Sequence, residues 1–156
     1  MPAPRPGYVK NMIRRSLREV VDPSPTKKDE ERIWEFFNSE CAYCGKRLSK
    51  AHKEGHIDHL VSAAIGGSND ISNRVLSCAT CNEKEKLDMP WESFLIQKNS
   101  DKSIASRRKE KILKWQSVHK QSTIKKETLD KIESLSTEVA EFYDERVSLA
   151  RKLRKL

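Results

Sequence analysis

The spacing of apolar residues predicts two short helices near the beginning of the chain. Apolar side chains recur every three or four residues over residues 8–21, and Pro23 and Pro25 end that pattern. Thr26, with Asp29 three residues later, resembles a capping box and predicts a second helix through residue 38. The apolar face of this second helix, which we expect in the core, is formed by Ile33, Trp34, Phe36 and Phe37. Residues 1–7 are rich in proline and are predicted to be extended or disordered.

The middle of the chain has a different pattern, with two short apolar runs and a loop between them. Residues 56–61 and 74–76 predict strands, and residues 62–70 predict a loop that contains the Gly66-Gly67 pair. A helix is predicted from Cys78 to about Leu87. A further helix follows, which Asp88 can cap, with Pro90 near its first turn.

The last third of the chain predicts long helices. Residues 105–120 are predicted to form a basic helix with interleaved apolar residues. From residue 128 onward one seam follows alternating spacings of three and four: Ile132, Leu135, Val139, Phe142, Arg146, Leu149, Leu153 and Leu156. This spacing is typical of an amphipathic, coiled-coil-like helix. The seam could pack onto its own chain or pair with a second copy or a partner protein through residues 128–156.

These elements predict an α+β fold that is mostly helical. We expect an N-terminal helical segment over residues 1–40, a ββα core over residues 41–100 and a helical extension over residues 101–156. The extension is expected to bind DNA, to mediate oligomerisation, or both.

Charge adds a candidate partner to this picture. The net charge is +8, and residues 98–156 account for +7 of it, with 16 basic and 9 acidic side chains. A basic extension of this kind attracts a polyanion, most simply a nucleic acid. A solvated lysine-rich surface would have the same composition, so charge alone does not decide between the two.

Other classes of protein are disfavoured by the sequence. The chain contains no apolar run of eighteen residues that could span a membrane. Its first residues lack the apolar segment of a signal peptide. We therefore expect a cytoplasmic protein with no membrane partner.

The four cysteines form two pairs with metal-ligand spacing. Cys41 and Cys44 are separated by two residues, as are Cys78 and Cys81. Two disulfides are possible in an oxidising compartment, whereas a reducing one favours a single structural zinc site with all four thiolates. We favour zinc because each spacing suits tetrahedral coordination.

Candidate catalytic groups lie between the cysteine pairs. Hydrolysis of a phosphodiester needs an activated water and a Lewis acid at the phosphoryl oxygens. His59 can accept a proton from water near neutral pH. Asp58 and Asn82 offer a carboxylate and an amide oxygen, which suit Mg²⁺ or Mn²⁺ and leave positions for phosphate and water.

The series Asp58-His59, Asn73 and Asn82, framed by the cysteine pairs, resembles the HNH (ββα-metal) endonuclease family. The resemblance covers about residues 41–87 and matches the zinc-bearing branch, in an H-N-N variant. It implies hydrolysis of DNA with the help of one metal ion. We expect this DNA to be double-stranded. It also implies that Asp58 and Asn82 hold the ion, that His59 is the general base, and that Asn73 stabilises the loop and orients His59.

Two positions depart from the family pattern. Ser62 stands where many members have proline. Many members have a lysine after the Cys-Asn pair and two further residues; here Glu85 stands at that position, and Lys84 and Lys86 flank it. The candidates for phosphate contact or support are His56, Arg74, Lys84 and Lys86. The candidates for DNA contact are Arg107, Arg108 and Lys111.

Two other functions stay open. The chain could be a zinc-ribbon module that binds nucleic acid without cutting it, as the basic extension would permit. It could also be the nuclease subunit of a larger assembly. The absence of a repeated recognition module favours a role in restriction, host defence or a phage.

Overall fold

The structure, a computed structural model, describes residues 5–119 and 124–153. It confirms the mostly helical α+β fold with a small antiparallel sheet. The helices are α1 (Pro6–Val21), α2 (Lys27–Phe36), α3 (Trp91–Lys98), α4 (Lys102–Val118) and α5 (Lys126–Leu153), and the strands are β1 (Gly55–His59) and β2 (Arg74–Cys78). A π-helix (Thr80–Lys86) follows β2, and short 3₁₀ turns (Ala63–Ile65, Ile71–Asn73) lie in the loop between the strands.

Both N-terminal helices form, with somewhat different ends. α1 begins at Pro6, so part of the expected extended segment is helical, because proline fits the first turn of a helix. Residues 1–4 lie outside the described residues. Thr26 and Asp29 form the predicted capping box. α2 ends at Phe36 rather than residue 38, because Asn38 adopts a positive φ of 54°.

The two strands pair in a register that sets the candidate site. Asp58 lies opposite Val75, and His59 lies opposite Arg74. β1 ends at His59 rather than at the predicted residue 61. Leu60 N–H donates to the Asn73 carbonyl at 2.8 Å, the next position of the same register, and Val61 N–H then donates to the Asn73 side-chain oxygen instead of to a strand.

Two helix starts also differ from the prediction. α3 begins at Trp91 with Pro90 as its N-cap, so Asp88 does not cap it. The reason is a turn after the π-helix, in which Leu87 has a positive φ of 47° and Met89 N–H donates to the Lys86 carbonyl. α4 begins earlier than predicted, because Asp101 accepts from Ser103 N–H and caps it. The predicted end of this helix at residue 120 lies outside the described residues.

The chain forms two compact units, one of residues 24–123 and one of residues 1–23 together with 124–156. Helices α2 and α4 belong to the larger unit because their apolar faces complete its core. Ile33 and Ile112 are fully buried, and Phe37 and Trp115 are nearly so. The compact units thus have other bounds than the predicted segments 1–40, 41–100 and 101–156, which stay a prediction about function.

The core of the larger unit lies under the sheet and the cysteine pairs. Phe36 at the end of α2 and Phe37 directly after it contact the Trp115 ring of α4 at centroid distances of 4.8 and 5.8 Å. Trp91, Phe94 and Leu95 of α3 are buried in the same cluster. The expectation that the aromatic face of α2 is core is confirmed, with Phe36 only partly buried.

The smaller unit pairs α1 with α5 in antiparallel fashion. Lys10 binds Asp144 at 2.9 Å and Arg14 binds Glu133 at 2.8 Å. On the predicted seam of α5 the following side chains are exposed: Leu135, Val139, Phe142, Leu149 and Leu153. α5 therefore packs on its own chain mainly through a neighbouring face, around the buried Ser136. Leu156 lies outside the described residues.

Across residues 5–119 and 124–153, the helices are too short or too polar to cross a membrane.

Candidate active site and cysteine cluster

Asp58 lies near the end of β1 with its side chain almost excluded from solvent. The Tyr43 hydroxyl donates to its Oδ2 at 2.8 Å, and the Lys86 ammonium lies 3.4 Å from the same oxygen. Burial raises the pKa of the Asp58 carboxyl above its ordinary value, and Lys86 and Tyr43 partly offset that rise. Burial also raises the pKa of Tyr43 well above its usual range, so the phenol stays protonated and donates.

Lys86 reaches Asp58 because the helix that carries it is a π-helix. Residues five apart are joined by the hydrogen bonds of a π-helix, so Cys81 and Lys86 lie on the same side. Both are buried, whereas Glu83, Lys84 and Glu85 between them are exposed. The Lys86 ammonium also donates to the His59 carbonyl at 2.6 Å. Of the two lysines proposed for phosphate contact, Lys86 thus points inward and supports β1, and only Lys84 faces solvent.

The His59 ring is held on both nitrogens. Its Nε2 lies 3.0 Å from Asn69 Oδ1, and its Nδ1 lies 3.1 Å from an Arg74 guanidinium nitrogen. A guanidinium only donates, so Nδ1 accepts and Nε2 of the neutral ring carries the hydrogen that is donated to Asn69. Arg74 also donates to Asn69 Oδ1, which closes the triangle. In this arrangement the lone pair of His59 Nδ1 is engaged by Arg74.

Asn73 fastens the loop between the two strands. Its side-chain oxygen accepts from Val61 N–H at 2.9 Å, and its amide donates to the carbonyls of Val61 at 2.9 Å and Ser68 at 2.8 Å. Gly67 approaches the Val61 carbonyl so closely that a Cβ at this position would lie 1.8 Å from the oxygen. The loop is therefore drawn tightly against the end of β1. The contacts with the His59 ring come from Asn69 and Arg74, and the described contacts of the Asn73 side chain are with backbone.

Asn82 lies in the first turn of the π-helix and is half-buried. Two contacts bring this helix alongside β1. Asp58 meets Lys86, and His56 Nδ1 lies 3.4 Å from a carboxylate oxygen of Glu83, the neighbour of Asn82. His56 thus pairs with an acidic side chain at the rim. The carboxylate of Asp58 and the amide of Asn82 stand on adjacent elements.

The four cysteines come together as predicted. Their sulfur atoms all lie within 4.8 Å of one another: those of Cys41, Cys44, Cys78 and Cys81. A tetrahedron of thiolates about 2.3 Å from a zinc ion has sulfur–sulfur edges of about 3.8 Å, and the Cys44 and Cys78 sulfurs are 3.8 Å apart. The cluster fits a zinc ion.

The backbone and the thiols around the cluster are arranged for this role. Gly45 adopts a positive φ of 76° directly after Cys44, as the knuckle turn requires. The Cys41 thiol donates to Cys44, which raises the pKa of Cys41 to about 11 and lowers that of Cys44. A lowered pKa favours the thiolate, which is the form that binds a metal.

The three DNA-contact candidates on α4 have different surroundings. Arg107 is exposed. Arg108 instead turns toward the first cysteine pair, where its guanidinium lies over Gly45 and 3.4 Å from the Cys41 carbonyl. The Lys111 ammonium lies 5.6 Å from the centroid of the Phe37 ring, and partial burial lowers its pKa. Arg107 is the candidate best presented to a polyanion.

Two residues of the site were missed from the sequence, Tyr43 and Asn69. Tyr43 stands between Cys41 and Cys44. An aromatic residue inside a metal knuckle indicates a buried side chain, so its burial could have been predicted from the sequence. Asn69 lies among the small and polar residues of the loop, where an asparagine ordinarily shapes a turn. Its contact with His59 could not be read from that composition.

Comparison with known proteins now assigns the segment that contains these residues. Residues 41–93 match the family model of the HNH endonucleases. The resemblance is confirmed for this segment. A protein of Bacillus subtilis (strain 168) named "SPbeta prophage-derived putative HNH endonuclease YoqL" is 33% identical over 98 residues, or 54% of this chain and 38% of that protein. The chain therefore spans well under half the length of this HNH relative. Similarity to the HNH endonucleases is thus shown for residues 41–93.

Proposed function

We propose that the chain is a metal-dependent HNH endonuclease that hydrolyses phosphodiester bonds of DNA. The observation that carries this proposal is the position of the adjacent residues Asp58 and His59 at the end of β1. Asp58 faces the helix that carries Asn82, whereas His59 faces the loop and Arg74. In this arrangement one side of the strand would bind the metal and the other would accept the proton, within a segment that matches the HNH family.

Asp58 and Asn82 would hold one Mg²⁺ or Mn²⁺ ion. A carboxylate and an amide oxygen are hard donors that suit such a cation, and two protein ligands leave positions for substrate. When bound, the ion supplies positive charge at the phosphoryl oxygens and the leaving oxygen. Asp58 keeps its contacts with Tyr43 and Lys86 through Oδ2, so Oδ1 is the oxygen that it can offer.

His59 would accept the proton of the attacking water. For this step Nδ1 exchanges Arg74 for water, and Asn69 holds Nε2–H so that the ring keeps its orientation. A DNA phosphate is a stronger acceptor for a guanidinium than an imidazole nitrogen is, so substrate would draw Arg74 away. Arg74 would thereby serve as the phosphate contact that the sequence predicts.

DNA would be attracted by α4, which carries six basic residues and one acidic residue. Lys102, Arg107 and Lys114 of this helix are exposed, whereas Lys109 pairs with Glu92 at 3.1 Å. The Trp115 indole donates to the Ile71 carbonyl at 3.0 Å, which fixes the helix next to the Asn73 loop. Binding through these cations should weaken as salt rises.

Plasmid cleavage tests the proposal. The purified chain with Mg²⁺ or Mn²⁺ should nick or cut plasmid DNA, and His59→Ala should lower the rate by about 10² to 10⁴ fold. Zinc content and melting temperature should stay near the parent values. His52→Ala is the matched control, because His52 is exposed in a turn before β1. Cleavage by His59→Ala at the parent rate would show that the base is misassigned.

The alternative is a zinc-ribbon module that binds nucleic acid without cutting it, which the charge of α4 favours. It predicts salt-sensitive binding, no product that depends on a divalent ion, and no effect of Asp58→Asn on affinity. Divalent-dependent cleavage that Asp58→Asn abolishes would exclude it.

The exposed seam of α5 would serve a second copy or a partner protein. Val139 and Phe142 lie on it and are 43% and 57% exposed, so changing both to glutamate should leave the fold intact. Light scattering of the full chain and of this double variant tests self-pairing. A dimer that the variant converts to a monomer supports it, and a monomer in both cases removes it.

We assign the nuclease to a cytoplasmic restriction, defence or phage role. The name of the Bacillus subtilis relative refers to a prophage, which supports the phage reading. Sequencing the DNA ends produced from a defined substrate would test this role, because it reports strand polarity, double-strand cleavage and sequence preference together. Fixed ends at one sequence would favour restriction.

A further inference from the structure

Tyr43 joins the cysteine cluster to the candidate active site. It stands between Cys41 and Cys44, and its side chain reaches across the core to Asp58. The ring is fully buried and packs edge-on against Phe94 at a centroid distance of 5.2 Å. Its backbone carbonyl accepts from the Asn99 amide at 3.0 Å. Contacts at the backbone carbonyl, at the aromatic ring and at the hydroxyl thus fix the position of Tyr43.

Two contacts of the Asp58 carboxylate converge on a single oxygen. Both the Tyr43 hydroxyl and the Lys86 ammonium contact Oδ2. An ion can therefore bind Oδ1 while both contacts persist. Hydrogen bonds of this kind orient a ligand and raise the affinity of a metal site.

We propose that Tyr43 is a positioning residue that transmits the geometry of the zinc knuckle to the metal-binding carboxylate of Asp58. The knuckle sets the position of the ring, and the ring sets the rotamer of the carboxylate. The cluster thereby does more than stabilise a small fold, since it also prepares the second metal site. This inference rests on the proposed function, in which Asp58 binds the catalytic ion.

Tyr43→Phe is the direct test, because it removes the hydroxyl and keeps the buried ring. Mn²⁺ binding to the full, zinc-loaded chain would be measured by electron paramagnetic resonance titration, with zinc content measured in parallel. We expect Mn²⁺ affinity to fall by about 10 to 100 fold while one zinc per chain is retained. Tyr8→Phe is the matched control, because Tyr8 is 60% exposed on α1. Parent affinity in zinc-loaded Tyr43→Phe would overturn the inference.

The Mn²⁺ dependence of cleavage provides a second measurement, which would not change if Tyr43 had only a structural role. With Tyr43→Phe, the Mn²⁺ concentration for half-maximal cleavage should rise by a similar factor, and saturating Mn²⁺ should restore most of the rate. A lower rate with an unchanged Mn²⁺ midpoint would contradict the proposal. If Tyr43→Phe does not fold, Asn99→Ala takes its place, because it removes the hydrogen bond to the Tyr43 carbonyl. Asn99→Ala should raise the Mn²⁺ concentration for half-maximal cleavage. An unchanged concentration overturns the inference.

Asp58→Asn separates this inference from the proposed function. If Asp58→Asn binds Mn²⁺ as tightly as the parent, the assignment of Asp58 as a ligand fails. If Asp58→Asn weakens binding and Tyr43→Phe does not, only the role of Tyr43 is overturned.

Discussion

The Lys86 ammonium lies 3.4 Å from the Asp58 carboxylate, and the two side chains are only 1% and 9% exposed. A buried charge pair is costly to break, because the remaining partner keeps its charge without compensation. The ammonium also holds the carbonyl of His59, so one side chain steadies both residues of the Asp-His pair.

Lys86→Met should therefore lower the free energy of unfolding by about 3–5 kcal/mol. Urea unfolding of the zinc-loaded chain measures this change. Lys84→Met is the matched control, since Lys84 is exposed on the same helix and its loss should cost less than about 0.5 kcal/mol. Equal stability of the two variants would contradict the buried pair.

Asn69→Ala should slow cleavage without weakening DNA binding. The variant removes the acceptor of His59 Nε2–H, so the ring samples orientations in which it cannot reach the water. We expect kcat to fall by about 10 to 100 fold, with KM nearly unchanged, in steady-state cleavage of a short duplex. Ser68→Ala is the control, because the described contact of Ser68 with Asn73 uses only its backbone carbonyl. A change confined to KM would argue against this role.

Asn73→Ala should destabilise the loop between the strands. The side chain is 3% exposed and makes three hydrogen bonds to backbone groups. At about 1 kcal/mol for each bond, and more where a buried group is left unpaired, the free energy of unfolding should fall by roughly 2–4 kcal/mol. Thermal and urea unfolding measure the loss. Cleavage should fall together with the folded fraction, and a fully stable but inactive variant would instead indicate a direct catalytic role.

Removal of zinc should unfold the larger unit. A strong chelator, or Cys78→Ser, removes a tie between β2, the π-helix and the first knuckle, and the circular dichroism signal and the melting temperature should both drop. Zinc binds thiolates, so protons compete with it and zinc should be released as the pH falls. A dye that reports free zinc during an acid titration follows this release. Retention of the fold after complete zinc removal would contradict a structural role.

Much of the site could be predicted because its signals are local. The cysteine spacing, the Asp58-His59 pair and Asn73 depend on short motifs, and the capping box at Thr26 depends on two residues of known chemistry. The face of α5 that packs on α1 could not be predicted in the same way. The strongest apolar seam of α5 faces away from α1. The buried position on the packed face is occupied by Ser136, whose hydroxyl donates to the Ile132 carbonyl.

The inward direction of Lys86 was also beyond sequence reasoning. Helical periodicity of 3.6 residues places residues five apart on different sides, so a regular α-helix that buries Cys81 would not bury Lys86. A π-helix reverses that conclusion, because its hydrogen bonds join residues five apart, and nothing in the sequence indicates that a π-helix forms here. The same limit applies to Asn69, which acts through a contact across the loop.

The wide turn of the π-helix also bears on how the chain tolerates changes in length. Many HNH proteins have a lysine four residues after the last cysteine, a separation that an α-helix stacks on one side. Here the separation is five, and the π-helix absorbs the additional residue. Deleting Glu85 would restore the shorter separation, so a regular helix could then deliver a lysine to the same carboxylate. Length variation at this point of the chain is thus compatible with a constant buried cation.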